Sequence, residues 1–201
     1  QIYNPPINTW VSAGSMTVAR SGHVAVLLQD GAVLVTGGTG GGGKTADLYD
    51  PAAVNHWTAA APMSSDRSAH AAALLDSGQV LVTAGNGGPP GTPVNNFPPI
   101  EAEKYNPATN SWSSAGTMVV WRRWHTATRL LDGRVLVTGG DVGASRTNSA
   151  EIYNPTTDTW SAAAPMSVSR SYHTATALTD GRVLVYGGGS ATWQIFDPGS
   201  G

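Results

Sequence analysis

Apolar residues come in runs of four to six, bounded by Gly, Pro, Asn and Asp, and no stretch keeps a 3.6-residue period. This pattern predicts short strands rather than helices. In the last copy of the pattern, strand a starts near His173 and runs through Thr174 to Leu178, and strand b covers Val183 to Tyr186. In the unit before it, strand c covers Ala150 to Tyr153 and strand d surrounds Trp160. Asp30-Gly31, Asp76-Ser77-Gly78, Asp132-Gly133 and Asp180-Gly181 separate a from b, and glycine there accepts the positive φ of a tight hairpin. Each a–b pair is therefore antiparallel. Between c and d, segments such as Asn154-Pro155-Thr156-Thr157-Asp158-Thr159 supply a proline of fixed φ and side chains that bond the backbone, which predicts a second tight turn.

The pattern recurs at a nearly constant period, and such a period decides the architecture. Trp10, Trp57, Trp112 and Trp160 are 47, 55 and 48 residues apart, and His23, His70, His125 and His173 follow the same spacing. Tyr3, Tyr49, Tyr105 and Tyr153 are spaced by 46, 56 and 48. The unit reads Tyr-Asn/Asp-Pro, Trp, Met, Arg, two residues, His, an apolar run, a Gly-containing turn, Val-Leu-Val and a glycine pair. The pair is Gly37-Gly38, Gly139-Gly140 and Gly187-Gly188, with Ala84-Gly85 as the departure in the second unit. The repeated Trp and Tyr read as packing residues.

Four antiparallel strands per unit of about 50 residues, with the glycine pair after strand b and the spaced Tyr and Trp, resemble the Kelch repeat over essentially the whole chain. The segment Met166 to Gly188 is similar to the Kelch repeats of galactose oxidase. The resemblance implies an all-β, Kelch-type β-propeller of four four-stranded antiparallel blades, in one domain spanning 1–201. The repeat units are approximately 14–57, 61–112, 116–160 and 164–201, with 1–13 expected to close the last blade. The chain opens in strand c (Ile2-Tyr3-Asn4-Pro5) and passes through d (Trp10). It reaches another c at Ile195-Phe196-Asp197-Pro198. A closed four-blade ring and part of a larger propeller both remain open, and self-association with a second copy is a further expectation.

Strand direction separates two sides. Turns a–b and c–d share one side, and loops b–c and d–a share the other. The second side carries the length variation: Thr39 to Lys44, Asn86 to Pro99 with its five prolines, and Asp141 to Ser149. It is the expected binding face. It receives Arg20, Arg67, Arg122 and Arg170, each four residues after a methionine, which are expected to circle the channel mouth and bind polar or anionic groups. The competing reading has them bonding backbone carbonyls of a neighbouring blade. Trp121, Arg123 and Trp124 join the same loop as a platform for a sugar ring or a partner's side chains, unless the indoles sit half-buried between blades. In the Kelch family the corresponding arginines commonly line the binding surface, which the resemblance carries to these positions.

His23, His70, His125 and His173 begin the innermost strands, so their imidazoles are candidates to approach the axis and hold copper or zinc. The resemblance to galactose oxidase places a copper-binding Tyr-His pair at Tyr172-His173. That enzyme's radical cofactor also needs a cysteine, and the chain has none. The competing reading packs each histidine between blades against backbone or a hydroxyl. With that reading the chain needs no cofactor. Gly38 to Thr45 fits G-x-x-x-x-G-K-[ST], but the following Ala46 to Pro51 aligns with strand c, and a phosphate loop needs a helix there. The acids fall in turns, before prolines or near strand c, and none form an acid–base pair by position.

Composition narrows the partners. With 11 basic and 13 acidic residues the net charge is −2, and Arg122-Arg123 is the one adjacent basic pair, so nothing attracts a polyphosphate and nucleic acid is not an expected partner. No apolar run nears the roughly 20 residues that span a bilayer. The first residues show no basic segment followed by an apolar one, so any secretion signal is expected to have been removed or never to have been present. Low charge and turns rich in Ala, Ser, Thr and Gly point to a secreted or cell-surface protein, bacterial in character. The sequence reading is a binding or scaffolding module for a protein or glycan, with the arginines and Trp121 and Trp124 at the ligand and Tyr172, His23, His70, His125 and His173 lining the pocket floor. A metal-binding propeller or metalloenzyme is the alternative.

Overall fold

The computed structural model describes residues 1–54, 56–87 and 101–199. It opens with a hairpin of β1 (Ile2–Asn4) and β2 (Thr9–Val11), which form a two-stranded sheet of their own. The first blade contains β3 (Val24–Leu27), β4 (Val33–Thr36), β5 (Ala46–Tyr49) and β6 (Trp57–Ala60). The second contains β7 (Ala71–Leu74), β8 (Val80–Thr83), β9 (Glu101–Asn106) and β10 (Ser111–Thr117). The third contains β11 (Thr126–Arg129) and β12 (Val135–Thr138), then a small hairpin of β13 (Asp141–Val142) and β14 (Ser145–Arg146), then β15 (Ala150–Asn154) and β16 (Thr159–Ala163). The fourth has β17 (His173–Ala177), β18 (Val183–Gly187) and β19 (Trp193–Phe196), three strands among the described residues. All pairings are antiparallel. The chain is all-β, a β-propeller of four antiparallel blades, with innermost strands packed β3 on β7, β7 on β11 and β11 on β17. No described helix is long and apolar enough to cross a membrane.

The turns form for the reasons read in the sequence. Gly31, Gly78, Gly133 and Gly181 hold φ between 80° and 92°, and the Asp30, Asp132 and Asp180 carboxylates accept the backbone N–H two residues on. In the c–d turns Asn8, Asn110 and Asp158 take left-handed φ of 46° to 55° just before strand d.

The strands alternate with period two, and the middle blades bury both faces. Val80 and Val82 of β8 pack with Leu34, Met63 and Tyr105 toward the first blade, while Leu81 packs with Met118, Val135 and Val137 toward the third. Leu136 turns the other way, into a cluster with Leu130, Ala150, Val183 and Val185 against the fourth blade. Truncating one of these leucines to alanine costs about 2–5 kcal/mol, because a close-packed sheet cannot collapse onto the gap.

Residues 1–13 do not complete the fourth blade. Tyr3 lies opposite Trp10, so β1 occupies the edge of β2 that a strand c of the last blade would need. The hairpin is held instead at the first blade, where the Trp57 indole N–H donates to the Ala13 carbonyl at 2.8 Å.

Candidate binding face

The d–a segments and b–c loops share one side of the propeller. Isolated bridges Ser21 to Thr39, Ser68 to Asn86 and Arg123 to Asp141 tie each segment to its loop. The glycine pair makes this possible. Gly38, Gly85 and Gly140 donate to the carbonyls of Arg67, Arg122 and Arg170 in the next blade at 2.7, 2.9 and 2.7 Å. A Cβ on Gly139 would stand 2.6 Å from the Arg170 oxygen. Ala84 takes the first position of its pair with φ 46°, a strained conformation that the buried site imposes.

The four repeated arginines do not ring the channel mouth. Arg67, Arg122 and Arg170 are 1% exposed or less, and the Arg20 side chain is fully covered. Each sends Nη1 to the carbonyl 17 residues onward: Gly37 at 2.9 Å, Ala84 at 3.1 Å, Gly139 at 2.7 Å and Gly187 at 2.7 Å. Their charge is met from strand c, by Asp47 for Arg20 at 2.7 Å, and by Glu103 and Glu151 for Arg67 and Arg122 at 2.8 Å. The arginines thus bond their own blade, where the sequence reading had them at the ligand or at a neighbour. These guanidinium groups are closed off from solvent, and their Nη donors are engaged inside the blade rather than offered at the face. Burial pushes the Arg67 and Arg122 guanidinium pKa values down, opposed by the charges of Glu103 and Glu151. The sequence does contain the signal for these partners: Asp47, Glu103 and Glu151 each sit two residues before the Tyr of strand c.

The histidines do not converge on the axis either. The His70 Nε2 shares a hydrogen bond with the Thr36 hydroxyl of the preceding blade at 2.8 Å, and His125 does so with Thr83 at 2.8 Å. His173 Nε2 meets Thr138 at 3.0 Å and Thr126 at 3.2 Å. All three rings are buried, whereas His23 of the first blade is exposed. Burial, with the nearby Arg67 and His23, lowers the His70 pKa to about 3. Burial and Arg170, then Arg122, lower that of His173 to about 4, and burial and Arg122 hold His125 well below its usual value. Among the described residues no group of three or more His, Cys, Asp or Glu could hold a metal ion. The Nε2 atoms of His70, His125 and His173 are each taken by a threonine of the preceding blade, and His23 lies exposed apart from them, so the four imidazoles do not form one ligand set.

What the arginine–histidine spacing does bring to the face is the residue between them. Gly22, Ala69, Trp124 and Tyr172 all have positive φ, at 63°, 52°, 53° and 55°. They form a belt: Ala69 N–H donates to Gly22 O at 3.0 Å, Trp124 to Ala69 at 2.8 Å, and Tyr172 to Trp124 at 3.0 Å. The left-handed backbone lifts each side chain off the belt. Trp124 and Tyr172 stack with centroids 4.5 Å apart and planes 24° from parallel, and the Arg123 guanidinium lies 4.2 Å over the Trp124 ring. Such cation–π and stacked contacts are favourable at about 0.5–1 kcal/mol each on a surface. Arg123 also donates to Asn86 Oδ1 at 3.2 Å, which holds the fork beside the rings. Tyr172 is 63% exposed, Trp124 and Arg123 are half-buried, and Trp121 is half-buried in the same loop. Of the sequence candidates, Arg123, Trp124 and Tyr172 come together, and Arg20, Arg67, Arg122, Arg170 and the histidines do not join them.

The loop Thr39 to Lys44 is a run of turns followed directly by β5, so its backbone amides face no helix axis. The third loop folds into the β13–β14 hairpin. Of the second, Asn86 and Gly87 are described, and its five prolines lie outside the described residues.

Comparison with known families places the repeat. The Kelch motif matches residues 125–167. The chain carries a Kelch motif. A solved structure titled "Structure of YjhT" is similar with a TM-score of 0.69 and 18% identity, covering 92% of this chain and 67% of that one. At that identity the likeness establishes the fold. None of the curated proteins matches the chain in sequence.

Proposed function

We propose that the chain is a non-catalytic binding or scaffolding module that recognises a protein or glycan through the b–c and d–a loop face. The observation that carries this reading is the Arg123–Trp124–Tyr172 stack. It is an accessible planar platform on the side where the loops vary, in a molecule whose repeated arginines and three of whose four repeated histidines are turned inward. Propellers with Kelch motifs are commonly binding or scaffold modules, which supports the class. The indole and phenol offer apolar area to the flat face of a sugar or to a partner's side chain, and the Arg123 fork supplies donors at the rim. The reading needs no cofactor, and low charge with small polar turns supports a secreted or cell-surface setting.

The test is a glycan array and a pull-down with the wild-type chain, repeated with Trp124→Ala and Tyr172→Ala. Alanine already occupies this left-handed position in the second blade, as Ala69, so the backbone accepts the change. The expected result is binding lost at least about tenfold with the melting curve nearly unmoved. A large drop in Tm with binding retained per folded molecule would show that the stack is packing.

A further inference from the structure

The first and third b–c loops hang on the same hydrogen bonds. Gly43 N–H donates to Gly38 O at 2.7 Å as Thr147 does to Gly140 O at 2.9 Å, and the Gly43 and Thr147 carbonyls accept from Arg67 and Arg170 at 3.2 and 3.1 Å. This frame makes Gly42 the counterpart of Arg146, and Asp66 the counterpart of Ser169. In the third loop the Arg146 side chain reaches across to the fourth blade and lies on Gly189, where a Cβ would stand 2.7 Å from the guanidinium carbon. The place between a b–c loop and the following blade therefore accepts a guanidinium on bare backbone.

In the first loop that place is open. A cavity of about 460 Å³ is lined by Gly40, Gly42, Asp66, Ser68 and Asn86 among others. The loop does not fill it from within: a Cβ on Gly42 would collide with the Gly37 oxygen. Asn86, the counterpart of Gly189, has its amide oxygen tied to Arg123 of the third blade at 3.2 Å. What the groove does hold is a carboxylate. Asp66 Oδ1 stands 2.8 Å from where a Gly43 Cβ would be, so the bare glycine is what leaves room for it. Among the described residues Asp66 has no hydrogen bond or ion pair through its carboxylate, and Lys44 at the rim is exposed and makes no ion pair. Arg67, on the same wall, is already neutralised by Glu103. We infer that this groove takes the arginine side chain of a partner protein, its guanidinium paired with Asp66 and laid on the glycine backbone of the first loop.

Arginine fits this place better than lysine does. Its planar fork meets a carboxylate through two N–H groups, and its weak hydration makes contact with bare backbone cheap, whereas a lysine ammonium is a compact, strongly hydrated point charge. The chain that leaves the groove at Gly87 has no Lys or Arg before Lys104, so the neighbouring sequence supplies no such cation. A protein rather than a glycan follows as the occupant, because sugar hydroxyls carry no charge to meet Asp66. The inference deepens the reading above, on which it rests for the loop face being a contact surface, and it gives the protein partner a defined chemistry.

Titration of the isotope-labelled chain with Nα-acetylarginine N-methylamide, followed by amide NMR shifts, tests this. The expected result is movement of the Gly40, Gly41, Gly42 and Asp66 amides, with the neutral citrulline analogue at least about tenfold weaker and the lysine analogue in between. Asp66→Ser, the residue that the fourth blade carries here as Ser169, should weaken binding at least about tenfold with the melting curve nearly unmoved. Replacing residues 39–44 by the sequence of 141–148 brings a copy of Arg146 into the groove and should abolish binding; amide shifts far from the loop report that each variant is folded. Absence of the expected shifts, equal binding of the citrulline analogue, or binding indifferent to Asp66→Ser overturns the inference. Inorganic phosphate moving these amides where the arginine probe does not would make the loop an anion site and overturns it equally. Trp124→Ala should leave the probe's binding unchanged, so this groove and the Arg123–Trp124–Tyr172 platform fail separately; loss of binding with that variant would put the probe on the platform instead.

Discussion

In the third blade Arg122 is held by Glu151, the Trp160 indole N–H donates to the Ala115 carbonyl at 2.9 Å, and β12 is covered on both faces. The fourth blade has the same Arg, His, Asp-Gly turn and Val-Leu-Val strand. Yet Arg170 finds the Thr192 hydroxyl at 2.7 Å where a carboxylate stands elsewhere, and strand c has Gln194 at the acid's position. Gln194 keeps part of the old task, accepting the Ser167 N–H at 2.8 Å as Glu151 accepts that of Val119 at 2.7 Å. On β18 only Val183 and Val185 are buried, and Tyr186 is exposed on the opposite face. Local residues set the strands of both blades; neighbours on both sides decide which blade is a core element.

Measurements on the two blades test that contrast directly. The largest effect expected is acid lability centred on the histidines. Their folded pKa values lie below the unfolded value near 6.5, so below that pH the unfolded chain binds more protons and stability falls as pH drops toward 3–4. Between pH 7 and pH 5 His70 and His173 each forfeit about 2 kcal/mol, His125 acts in the same direction, and urea unfolding across that range measures the sum. His125→Gln should flatten the acid limb; an unchanged pH slope would mean that the ring is not held neutral.

Next, Glu151→Gln leaves Arg122 buried without its counter-charge and should cost about 3–5 kcal/mol. The converse change, Gln194→Glu, gives Arg170 the carboxylate that the other blades have and should stabilise by roughly 1 kcal/mol. If both changes moved Tm alike, the two blades would not differ in the way described. Packing offers a parallel pair: Leu81→Ala should cost about 2–5 kcal/mol, and Leu184→Ala under about 1 kcal/mol. The smallest effect on Tm is expected for Trp124→Ala, whose consequence is reserved for binding.

Much of the fold was legible because it is written as a period. Asp-Gly turns, the glycine pair and the Tyr–Trp spacing each act within a few residues, and four copies reinforce one another. The site was legible only in part. Arg20, Arg67, Arg122 and Arg170 looked like ligand groups because recurrence and position do not reveal exposure; Asp47, Glu103 and Glu151, two residues before a tyrosine, were the overlooked clue. The threonine partners of the histidines lie 34 to 42 residues away in the preceding blade, a distance no local pattern spans.

The strands, their antiparallel pairing and the grouping of loops on one side follow from backbone preferences and two-residue periodicity, and so are written locally in the chain. Tertiary structure decided which polar side chains were spent inside the blades and which were left to solvent. It also decided that β2 pairs with β1 in a sheet apart from the fourth blade. Burial and partnership are properties of neighbours brought together across blades, and desolvation, which sets both the arginine pairs and the histidine pKa values, exists only once those neighbours are in place.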